Sequence, residues 1–226
     1  MAILLLFLIY HMARQAAILT APAASSSAST SPVVVIDSGH GGIDPGKVGI
    51  DGSLEKDINL QIARRLKTYL EASDVTVVMT RDSDCGMYKD GDKNKKSADM
   101  KNRCSLINNA APDLTVSIHQ NSYHEESIKG GQVFYYKNSD EGRELAEILQ
   151  KRFDFVLGDG NTRAAKANSN YYLLLHVRSP IVIVECGFLS NSGEAAKLGS
   201  PDYQDRLAWT IHMGIMEYLN SAQSRP

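Results

Sequence analysis

From Val33 onward, short β-branched runs alternate with apolar positions at helical spacing. Val33 to Asp37 is a run of the first kind and reads as a buried strand. Val75 to Thr80, Leu114 to Ile118, Gln132 to Tyr136, Tyr171 to Leu175 and Ile181 to Val184 read the same way. Between the first two runs, Leu54, Ile58, Ile62, Leu66 and Leu70 recur every four residues, with Arg64, Arg65 and Lys67 turned elsewhere. That spacing predicts a helix with one apolar stripe. Met100, Cys104 and Ile107 predict a second helix, and Leu145, Ile148, Leu149 and Phe153 a third. Tyr203, Leu207, Ile211, Ile215 and Leu219 predict a closing amphipathic helix. Arg81 to Lys96 is polar, has no periodicity and reads as a surface loop. Strands separated by helices of this length predict one α/β domain, with a largely parallel, twisted sheet of about six strands flanked by helices.

Residues 1–32 follow a different pattern. Ala2 to Tyr10 is an unbroken apolar run, followed by small residues around Ala21 to Ala24 and a Ser/Ala-rich stretch. The run is shorter than the ~20 apolar residues that span a bilayer. It reads as a secretory signal peptide, or a retained N-terminal anchor that would tether the chain to a membrane, plus a linker. The folded domain is expected over 33–220, with a tail at 221–226. This organisation implies an exported protein, either secreted or membrane-anchored.

The 226 residues carry 24 basic and 26 acidic side chains, a net charge of -2 that argues against nucleic acid as a partner. Cys85, Cys104 and Cys186 show neither metal-site spacing nor a disulfide framework, so the fold is not expected to depend on them.

In open α/β sheets, ligands gather beyond the carboxyl ends of the strands. The first strand runs into Asp37-Ser-Gly-His40-Gly-Gly, the third into His119-Gln-Asn121, and the last into Glu185-Cys-Gly. Glu55 stands at the start of the first helix, after a glycine-rich loop. Two imidazoles and a carboxylate can hold zinc with a position left for water, and a second carboxylate can then act as general base. The residues alone leave open which glutamate takes which role. A carboxylate at the end of an Ile-Val-Ile-Val strand is expected to be buried, and a metal or a bound proton would offset the cost of that burial. His11, His124, His176 and His212 read as ordinary core or surface histidines, and Cys186 as a packing residue.

The ordered set Val-Val-Ile-Asp-Ser-Gly-His40-Gly-Gly, Leu-Glu55-Lys-Asp-Ile-Asn-Leu, Thr80-Arg81, Ser-Ile-His119-Gln-Asn121 and Val-Glu185-Cys-Gly-Phe-Leu-Ser-Asn191 resembles the zinc-dependent N-acetylmuramoyl-L-alanine amidases. The resemblance covers about Val33 to Leu219. It implies that His40, Glu55 and His119 bind one Zn2+ per chain and that Glu185 is the catalytic base. The implied substrate is peptidoglycan, cut between N-acetylmuramic acid and L-alanine. Ser38 stands where the family usually has proline, and Gln120-Asn121-Ser122 replaces a small-Asn-Ala run. Within the family the chain is most similar to the spore-cortex type, through its bare catalytic domain, Gly130-Gly-Gln-Val-Phe-Tyr-Tyr and Tyr203-Gln-Asp-Arg-Leu-Ala. That implies a role in sporulation and germination, and formation of muramic δ-lactam. With no wall-binding module, an activating or targeting protein partner is also expected. A zinc peptidase acting on the stem peptide and a non-catalytic peptidoglycan-binding regulator are the competing readings.

Overall fold

A computed structural model describes residues 31–157 and 160–223, so the expected signal or anchor segment lies outside the described residues apart from its last two. Six strands form one sheet: β1 (Val33–Ser38), β2 (Thr76–Met79), β3 (Leu114–Asn121), β4 (Gln132–Tyr136), β5 (Lys166–Asn168) and β6 (Ile181–Phe188). Their spatial order is β2-β1-β3-β6-β4-β5. Every pairing is parallel except β4 with β6. The helices are α1 (Glu55–Glu71), α2 (Lys95–Ala110), α3 (Asp140–Leu157), α4 (Tyr172–His176), α5 (Ser192–Leu198) and α6 (Pro201–Gln223). Among the described residues, no helix is long and apolar enough to cross a membrane.

Alternation along the central strands divides the core between the two faces of the sheet. Val34, Ile36, Val116, Ile118, Val182 and Val184 pack against α1, α3 and α6. The α1 stripe is buried as the spacing predicts, through Ile58, Ile62, Leu66 and Leu70. Phe153 of α3 and Ile215 of α6 close that layer. Each such aliphatic or aromatic side chain contributes about 1.5–3 kcal/mol when fully buried. The opposite face is smaller: Val35, Phe134, Ile181 and Ile183 meet Cys104 and Ile107 of α2 and Leu173 and Leu174 of α4. Asp37, Ser117, His119 and Glu185 stand on that second face by the same alternation.

The sequence expectation fails at Tyr171 to Leu175, which forms the helix α4 rather than a strand. Leu173 and Leu174 are both buried while Leu175 is exposed, which is the mark of a helical turn and not of alternation. The stretch from Arg81 to Lys96 also departs from a plain surface loop. Arg81 is buried, and Lys95 and Lys96 already belong to α2, whose N-cap Asn94 accepts a bond from the Ser97 amide. The three cysteines are free, with Cys104 and Cys186 buried in the core.

Candidate active site

β1 ends at Ser38, and the chain enters a tight loop in which His40 takes a left-handed backbone conformation, φ 61°. Few non-glycine residues adopt it, and it persists only where the surroundings hold it. His119 lies inside β3, and Glu55 opens α1 above the carboxyl ends of the strands. The three converge. Glu55 places Oε2 3.2 Å from His40 Nε2 and Oε1 2.9 Å from His119 Nδ1. Their candidate ligand atoms all lie within 4.8 Å of one another.

The surroundings fix each group. His40 Nδ1 pairs with Asp44 Oδ2 at 2.9 Å, which turns Nε2 toward Glu55. Glu55 accepts bonds from the amides of Lys47 (2.7 Å) and Gln120 (3.0 Å). Gly39 lies flat against His119: a Cβ there would sit 2.3 Å from Cε1 of the ring. Burial by itself would raise the Glu55 pKa, but hydrogen bonds and charge from His119 and His40 hold it well below the carboxylate range. Burial pulls His119 down, and Glu55 and Glu185 outweigh it, leaving the imidazole at about 9. Two imidazoles and an ionised carboxylate around one centre, each oriented by a partner behind it, are a donor set suited to a divalent cation.

Glu185 faces His119 across the β3–β6 pairing. It is buried, and its Oε2 has no hydrogen-bond partner among the described residues. Burial pushes its carboxyl up to about 7, with the Glu55 charge adding to the rise and His119 opposing it. A carboxyl at that level beside a cation site is suited to taking up and returning a proton near neutral pH. The cluster opens into a cavity of about 340 Å³, bordered among others by Tyr88, Lys96, Met100, Tyr171 and Tyr172.

The family match decides what this arrangement belongs to: residues 34–217 match N-acetylmuramoyl-L-alanine amidase. The chain belongs to that family. The germination-specific amidase of Bacillus subtilis (strain 168) is 38% identical over 197 residues, covering 86% of this chain and 82% of the relative. The CwlD amidase of Clostridioides difficile, solved in complex with the GerS lipoprotein, superposes with a TM-score of 0.82 at 37% identity, covering 84% of this chain and 99% of that one. The catalytic domain of the CwlV amidase from Paenibacillus polymyxa gives a TM-score of 0.73 at 31% identity. The amidase is thus a peptidoglycan hydrolase.

All four residues singled out in the sequence, His40, Glu55, His119 and Glu185, meet at one rim of the amidase. Tyr171 and Tyr172 also line its cavity, on the segment that forms α4 rather than the expected strand. Arg81, Arg103 and Asp37 also support the rim and were not selected as site residues. Asp37, at a strand end, and Arg81, just after one, both stand inside motifs that carry the family resemblance. His176 is exposed and stacks on Tyr172, while His212 is buried against Ser73, so both are the ordinary histidines expected. Cys186 lies in the core, where burial raises its thiol pKa.

Proposed function

We propose that this chain is a zinc-dependent amidase of spore-cortex peptidoglycan, with His40, Glu55 and His119 holding the metal and Glu185 acting as catalytic base. The observation that carries the reading is the convergence of a His-Glu-His cluster with a buried, unpartnered carboxylate across one strand pairing. When bound there, zinc supplies Lewis acidity, polarising the lactyl carbonyl and acidifying water. Glu185 accepts the proton of the attacking water as the new C–O bond forms. It then delivers that proton to the L-alanine nitrogen as the C–N bond breaks, releasing an intact stem peptide. Asp44 keeps the His40 Nε2 turned inward throughout, and the Gln120 and Lys47 amides hold the Glu55 carboxylate in place.

The domain 33–220 carries the catalysis, and residues 1–32 export the chain as a signal peptide or retained anchor. The reaction takes place in the wall, outside the cytoplasmic membrane. The cortex role and a part in muramic δ-lactam formation are supported by the similarity to germination-type relatives. The GerS complex of the Clostridioides difficile relative supports an activating or targeting protein partner here also.

Elemental analysis of the purified chain tests the metal, and mass spectrometry of digested sacculi tests the reaction. About one zinc per chain and release of peptides beginning at L-alanine are expected. A metal-free yet active protein, or muramic acid still carrying L-alanine after digestion, would overturn the reading.

A further inference from the structure

Arg81 is 3% exposed, and all four of its hydrogen bonds go to backbone carbonyls. Nε donates to the Ser38 oxygen at 3.0 Å, and Nη1 to Ser83 at 3.0 Å. Nη2 divides its donors between the Gly39 oxygen at 3.0 Å and the Lys56 oxygen at 2.7 Å. Asp37 and Asp84 act on its charge from a distance, but no carboxylate is bonded to the guanidinium, so these four hydrogen bonds must offset the water lost on burial. The carbonyls it selects are informative. Gly39 immediately precedes His40, and Lys56 immediately follows Glu55, so one terminal nitrogen ties together the two segments that bring those side chains to the cluster. The loop is moulded to the guanidinium: a Cβ on Gly41 would sit 2.8 Å from Arg81 Nε. Arg103 completes the arrangement, donating to the Ser38 and His40 oxygens at 2.8 and 2.6 Å. Three successive carbonyls, 38 to 40, are therefore held by two arginines, which accounts for the persistence of the left-handed His40.

The geometry points to Arg81 as a positioning residue that sets the separation of His40 and Glu55 and so determines how tightly the cluster holds its cation. Only a planar fork meets this requirement: an ammonium keeps the charge but cannot span Ser38, Gly39, Lys56 and Ser83 together. The inference rests on the zinc site proposed above.

The test uses the full chain, freed of metal, with zinc affinity measured by competition against a chromogenic chelator and the site geometry read from the visible absorption of the Co2+ form. R81M is expected to weaken zinc binding at least tenfold, and R81K by a smaller factor, both with an altered Co2+ spectrum. F153A, a core variant remote from the loop, is the control for stability, expected to unfold at lower urea yet bind zinc as the unaltered chain does. If R81M does not fold, R81K decides the matter. Unaltered affinity and spectrum in a folded Arg81 variant would overturn the inference, as would an affinity loss in F153A matching that of the Arg81 variants. Failure of the unaltered chain to bind zinc would instead overturn the metal site itself.

Discussion

His119 and Glu185 stand directly opposite one another on the parallel strands β3 and β6, where the register then shifts toward Asn121 and Phe188. One therefore presents a nitrogen to Glu55 while the other presents a carboxyl to the same rim, both fixed by the sheet rather than by a loop. Sheet-borne groups hold their geometry more closely than loop-borne ones, which suits a base that must meet a metal-activated reaction.

Glu185→Gln tests this division of labour. The amide keeps the shape of the side chain but cannot accept the proton, so turnover on sacculi is expected to fall by about 10²–10⁴-fold. Metal content, followed by elemental analysis, is expected to stay at that of the unaltered chain, because Glu185 lies outside the His-Glu-His cluster.

Gly39→Ala should act on the metal rather than on the proton. The added carbon would lie 2.3 Å from Cε1 and 2.4 Å from Nε2 of His119, and a rigid imidazole between strand and loop has to turn away. Zinc affinity, measured by chelator competition, is expected to drop by more than about tenfold, roughly the equivalent of 1.4 kcal/mol.

Removing the metal has a stability signature as well as a catalytic one. Chelation should abolish hydrolysis, and added zinc should restore it. Zinc at a hundred times its Kd should raise the unfolding free energy by about 2.7 kcal/mol, by mass action on the folded state. In His119→Ala, urea unfolding with and without zinc should coincide.

Acid sensitivity is expected to include a contribution from Asp37, beside that of Glu55. Burial would raise its carboxyl, but the Arg103 charge, a Ser117 hydrogen bond and further charge from His119 outweigh burial and bring it from 3.8 to about 2. A folded pKa below the unfolded one means stability that is fully present above about pH 4 and is lost as the pH falls toward 2. The shift corresponds to about 2 kcal/mol. Urea titrations of the metal-free chain between pH 6 and 2 should show that loss, and Asp37→Asn should be less stable at pH 6 with a flatter profile.

The residues proposed to do the chemistry were legible because strand polarity converts sequence position into spatial position. A β-branched run that ends in His or Glu delivers that side chain to the carboxyl rim, and His119 and Glu185 followed directly. The boundaries were less legible. β3 and β6 run on through His119-Gln120-Asn121 and Glu185-Cys186-Gly187-Phe188, because ladder hydrogen bonds continue where the apolar pattern stops. β5, Lys166–Asn168, has no apolar alternation and pairs only along the edge with β4. Tyr171 to Leu175 was ambiguous in principle, since five apolar residues fit a strand or a single helical turn equally. Arg81 was legible only as part of the Thr80-Arg81 motif; its partners are carbonyl oxygens, which every residue has, so no pattern of side chains announces them.

The last strand along the chain, β6, does not add to an edge but inserts between β3 and β4, joining β2-β1-β3 to β4-β5. Synthesis therefore supplies His40, Glu55 and His119 first, while the segment that closes the sheet is the one that brings Glu185. Without β6 the two half-sheets share no hydrogen-bonded border, and the proposed proton acceptor has no place at the rim. On the proposed mechanism, the strand that completes the sheet is also the one that completes the catalytic set.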